Sequence, residues 1–134
     1  MKKLILLPIF ILCSVMYSKA QFHYSSSAVQ TSDYNETTKT WLTTSDLIDE
    51  ANFLEFNKEC TLLQISNFSG SVLFYVGGSI DRADKSTSFN LTNSAGNKGS
   101  ITIFEKKNTI EILIKSGGKW HGNLYLITKA WTGE

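Results

Sequence analysis

From residue 52 to residue 130 apolar side chains tend to recur at every second position, and turn-forming residues interrupt them at short intervals. A period of two puts alternate side chains on opposite faces of an extended chain. Each such segment therefore buries one face and wets the other. In residues 109–115, Ile110, Ile112 and Ile114 share one face, while Thr109, Glu111 and Lys115 share the other. In residues 86–92, Thr87, Phe89 and Leu91 face inward, and Ser88, Asn90 and Thr92 face outward. Residues 71–76 break the rule: Val72, Leu73, Phe74, Tyr75 and Val76 are apolar on both faces, which predicts the most buried strand.

The candidate strands are 52–58, 60–67, 71–76, 86–92, 100–105, 109–115 and 120–130. Most connections between them are short, so neighbours pair as antiparallel hairpins in meander order. The fold class is all-β: a single antiparallel domain of about seven or eight strands, forming a small barrel or a sandwich. The predicted interior holds Phe53 or Leu54, Leu63, Ile65, Val72, Phe74, Val76, Phe89, Leu91, Ile101, Ile103, Ile110, Ile112, Ile114, Leu124 and Leu126.

Register follows from the same faces, because residues directly opposite each other point the same way. Ile103 is expected opposite Ile110, and Ile101 opposite Ile112. In the last hairpin a two-residue Gly117-Gly118 turn would set Ile112 against Asn123. A three-residue loop or a bulge sets Ile112 against Leu124 and Ile110 against Leu126, and is expected because it joins apolar faces.

Residues 1–20 read as a cleavable export signal. Lys2 and Lys3 precede the apolar run 4–12, and Ser18 and Ala20 supply the small residues of a cleavage site. Cys13 follows bulky Leu12, which does not suit lipoprotein processing. Cleavage leaves 114 residues for the periplasm or the extracellular space, one domain's worth, with no membrane insertion expected afterwards. Of these, 36 are Ser, Thr or Asn, which disfavours helices. Residues 21–37 are expected as a flexible N-terminal arm and 38–134 as the β domain. An edge strand is expected near 39–43, with Trp41 as a core anchor, and a single helical turn fits within 44–51, capped by Ser45 or Asp46.

Function is constrained mostly by elimination. Without residues 1–20 the chain has ten basic and twelve acidic residues, a charge of −2, and no basic run beyond Lys106-Lys107. Nucleic acid is therefore disfavoured as a partner, as are anionic membrane surfaces. No H-E-x-x-H, C-x-x-C, G-x-S-x-G or phosphate-binding glycine loop occurs, so neither an enzyme nor a cofactor or metal is expected. Asp81-Arg82-Ala83-Asp84 lacks the ligand spacing of calcium loops. Cys60, the one cysteine beyond residue 20, is expected at the start of a buried strand. The Cys–Trp–Cys framework of immunoglobulin-type sandwiches is missing, and Lys39-Thr40-Trp41 lacks the glycine of the lipocalin Gly-x-Trp.

One strip stands out. If Leu124 and Leu126 face the core, His121, Asn123, Tyr125, Lys129 and Trp131 form an exposed row of aromatic, amide and cationic groups. Such rows suit protein or glycan partners. The expected function is an exported, non-catalytic binding or interaction module, for instance an inhibitor or accessory domain. A carrier of a small apolar ligand in a barrel cavity is the alternative. The pattern sets no oligomeric state.

Overall fold

The computed structural model describes residues 20–80 and 86–133. The predicted export signal lies outside the described residues apart from Ala20, and so does Asp81-Arg82-Ala83-Asp84. The elements are β1 (Ala20–Asn35), β2 (Thr40–Thr43), β3 (Ile48–Asn57), β4 (Leu62–Asn67), β5 (Gly70–Ile80), β6 (Thr87–Asn93), β7 (Lys98–Phe104), β8 (Thr109–Ser116) and β9 (Lys119–Thr132). A 3-10 turn over Glu105–Lys107 links β7 to β8. All pairings are antiparallel, in the order β2-β1-β3-β4-β5-β6-β7-β8-β9, and β1 also pairs with β9. That last pairing closes eight strands into a meander barrel. β2 stands outside the ring and continues the edge of β1 past the point where β3 leaves it.

Residues 21–37 are not a loose arm. β1 is the longest strand, and it is hydrogen-bonded to β3 and β2 along one edge and to β9 along the other. Its period is hidden because shifts in pairing around Ser26 and Ala28 change which side chains face inward: Phe22 and Tyr24 before, Val29 after. A polar segment can hold this place because two neighbours satisfy its backbone. Residues 48–51 likewise belong to β3 rather than to a helical turn, and the Ser45 hydroxyl accepts a bond from the Thr31 amide at 3.1 Å.

The core is the barrel interior. Leu54, Phe56, Leu63, Ile65, Phe74, Leu91, Ile101, Ile110 and Ile112 are buried there, together with Val29 and Tyr125. Where nothing covers the outside of a closed barrel, a strand buries only its inward face. β5 therefore buries Phe74 and Val76 on its inward face and exposes Leu73 and Tyr75 on its outward one, while Val72, inward but close to the β4–β5 turn, is also exposed, contrary to the expectation of a strand buried on both sides. Phe53 also points out, and Leu54 takes the interior position.

The β7–β8 hairpin has the expected register, Ile103 opposite Ile110 and Ile101 opposite Ile112, with Asn108 in the left-handed region closing the turn. The β8–β9 hairpin does not. Gly117 and Gly118 both take positive φ, 60° and 77°, and form a two-residue turn between Ser116 and Lys119. Ile112 thus faces Asn123 and Ile110 faces Tyr125. The apolar match survives because Tyr125 fills the core position, leaving Leu124 and Leu126 half-buried. Trp41 is no core anchor either: it is exposed, tilted against Tyr34 at 5.3 Å, and packed over Gly122.

Candidate functional site

The C-terminal strip is divided along β9. Ser26 pairs with Ile127 but Ser25 pairs with Lys129, so Thr128 is an extra residue in the ladder, and its hydroxyl donates to the Ser25 carbonyl at 3.1 Å. The bulge reverses the alternation, so Ile127 packs on the core while Lys129 and Trp131 are exposed. His121 lies near the β8–β9 turn and bonds the Asp33 carboxylate through Nδ1 at 2.8 Å. Asn123 is half-buried and hydrogen-bonds the Tyr125 side chain. Tyr125 is only 7% exposed, so it cannot belong to an exposed strip. Burial pushes its phenol above the ordinary value; the Asn123 bond opposes this and the Glu50 charge adds to it. The five residues do not form one surface.

Lys129 and Trp131 instead meet residues from the start of β1. The Trp131 ring lies flat against His23, with centroids 5.0 Å apart and planes within 5°, and the Lys129 ammonium is 5.2 Å from the Trp131 ring centre. His23 is buried. Its Nδ1 pairs with the Glu55 carboxylate at 2.8 Å, and its Nε2 donates to the Gly133 carbonyl at 2.6 Å. One histidine thus ties β3, β1 and the end of β9 together and holds Trp131 in place.

Trp131 is one wall of a cleft of about 500 Å³ at this end of the barrel, with Phe22, Tyr24, Ile103 and Ile127 among its other walls. An adjoining cleft of about 220 Å³ shares Phe22, Tyr24, Ile103 and Glu105 and adds Phe56, Phe89 and Cys60. The space has a local cause. Across the β1–β9 seam, Phe22 faces Thr132 and Tyr24 faces Ala130, so each ring opposes a small side chain. Phe56 stacks at an angle on both Tyr24 and Phe89 and floors the smaller cleft.

Two polar groups within these walls are perturbed. Tyr24 has its phenol raised by burial first, then by the charge of Glu105 and by Cys60. Cys60 does not begin a strand: it occupies the β3–β4 turn with φ 56°, half-buried, and burial followed by the Glu59 charge raises its thiol. A raised thiol is a poor nucleophile at neutral pH. Among the described residues no three His, Cys, Asp or Glu side chains are grouped as a metal site would need. The opposite end of the barrel carries a third cleft, about 570 Å³, with a polar rim that includes Asp33, Glu36 and Lys119.

Reading the sequence misses Phe22, His23, Tyr24 and Glu105. The first three fall in the segment expected as an arm, and Glu105 at the end of the expected strand 100–105, where the structure has the 3-10 turn. Two aromatics at alternate positions, Phe22 and Tyr24, are the signal that marks β1 as a strand with an apolar face. Comparison with protein-family models, curated proteins and solved structures returns no match for this chain.

Proposed function

We propose that this chain is an exported, non-catalytic binding protein that holds a small, largely apolar ligand at the mouth of its barrel. The single observation that carries the reading is the pair of adjoining clefts, about 500 and 220 Å³, walled by aromatic and aliphatic side chains. The larger cleft is of the size of ligand sites, roughly 300–1,000 Å³, and such sites favour barrel mouths. The exported location rests on the signal-like residues 1–20. A protein partner is the second reading, favoured by exposed Phe53 on β3 and exposed Leu73 and Tyr75 on β5, on either side of β4 in the outer wall.

Trp131 and Cys60 report on the clefts directly. Titrating the protein with 1-octanol, octanoate and octylammonium should change tryptophan fluorescence in a way that Trp131→Phe abolishes. The bound probe should also slow alkylation of Cys60 several-fold. If none of the three probes alters either signal, the mouth is not a ligand site and the outer wall becomes the better candidate.

A further inference from the structure

Among the described residues the mouth has one charged side chain in its walls. Glu105 lines both clefts, and every other described residue lining them is apolar, aromatic or neutral. Among the described residues no cation lies within ion-pair distance of Glu105; the ion pairs found there are His23–Glu55 and His121–Asp33. Two lysines of this end are engaged elsewhere. Lys107 lies 5.1 Å from the Phe104 ring centre, and Lys129 lies 5.2 Å from that of Trp131.

An apolar body seated in these clefts strips water from the Glu105 carboxylate. A neutral ligand leaves that loss uncompensated, and an anionic one adds repulsion. A cationic head replaces the lost hydration with an opposite charge, and the rings of Phe22 and Tyr24 offer it their negative faces. We infer that the ligand is an amphipathic cation, a primary or quaternary amine with an apolar body, its head against Glu105 and its body between Phe22, Tyr24, Ile103 and Ile127. The rise of the Tyr24 phenol, caused in part by Glu105, agrees with a negative field reaching into the cleft.

This inference rests on the ligand site proposed above, and one set of titrations separates the two. Octylammonium, octyltrimethylammonium, 1-octanol and octanoate are titrated at neutral pH and low ionic strength, read by calorimetry and by Trp131 fluorescence. The expected order is both ammonium probes about tenfold tighter than octanol, with octanoate weakest. Glu105→Gln, a change on an exposed turn, should abolish the ammonium preference, so that the ammonium probes and octanol bind alike, with an unchanged circular dichroism spectrum. If all four probes bind alike, or if the ammonium preference survives Glu105→Gln, the cation inference is wrong while the ligand site stands. If none binds, both are wrong.

Discussion

At the end of the barrel reached by the β8–β9 turn, polar side chains bond to one another and the cleft there has a polar rim. At the end where β1 begins, the clefts are walled by aromatic and aliphatic side chains. In the first region the Asn67 amide donates to the Glu50 carboxylate at 2.9 Å and to Asn52 Oδ1 at 3.2 Å, while Asn123 meets the buried Tyr125 phenol. Asn52 is 2% exposed, so these bonds replace water that has been excluded. In the second region Phe22, Tyr24, Phe89 and Ile127 are only partly buried and pack on the core from one side. Stability is therefore concentrated in the middle and at the polar end, and the aromatic end is free to carry an apolar site.

Truncations on either side of this boundary test the contrast most strongly. Ile112 is almost wholly buried among facing strands, so Ile112→Ala should cost about 2–5 kcal/mol in urea unfolding. Phe22 borders space already open, so Phe22→Ala should cost about 1 kcal/mol or less while weakening probe binding. Equal costs would mean that the mouth is core and its space has no spare role.

Gly99 gives the next effect. A Cβ there would lie 1.8 Å from the Leu113 carbonyl oxygen and 2.9 Å from the Ile114 Cα, both main-chain atoms that cannot step aside. Gly99→Ala should therefore force β7 from β8 and cost about 2–3 kcal/mol. Gly122→Ala meets the Leu113 Cδ2 at 3.1 Å and the Trp41 ring at 3.4 Å, side-chain atoms that can give, and should cost less. Thermal midpoints of the two variants compare them directly; a tolerated Gly99→Ala would show that the seam is looser than described.

The boundary between the two regions also marks how far the sequence could be read. Strands with strict alternation and short turns were legible: β7 and β8 have the expected register, and most predicted core residues are buried. Errors arose where a local irregularity changes the face. The pairing shifts in β1 concealed a full strand among serines, and the bulge at Thr128 divided the proposed site. In the β8–β9 hairpin, apolar matching favoured a bulged turn, but Tyr125 could serve as a core residue because Asn123 satisfies its hydroxyl. Leu73 and Tyr75 are apolar yet exposed because nothing in one strand's sequence says whether its second face is covered, and Val72 is exposed near the strand's start although it shares the inward face of Phe74. The mouth itself was illegible, since Phe22, Tyr24, Phe89, Ile103, Glu105 and Trp131 come from distant segments that only barrel closure brings together.

The smallest expected effect is also the one that separates the two ends by pH. Both Tyr125 and Tyr24 have folded-state phenols raised above the ordinary value of 10.0, Tyr125 first by burial and Tyr24 first by burial with Glu105 adding to it. A raised value means the native state holds its proton more tightly than the unfolded chain. Below pH of about 10 both states are protonated and the native fold keeps this stability in full. As pH rises through 10 the unfolded chain ionises first, and stability falls until the folded phenol also titrates. Tyr125→Phe removes that proton at the polar end, at a cost of about 1 kcal/mol near neutrality for the lost Asn123 bond. The variant should thus be slightly weaker than wild type at pH 7 but lose less on going to pH 11. Tyr24→Phe, at the wetter mouth, should flatten the alkaline fall less. Urea midpoints at pH 7, 9, 10 and 11 for the three proteins give the comparison. A larger flattening from Tyr24→Phe would place the drier phenol at the mouth and reverse the contrast between the two tyrosines.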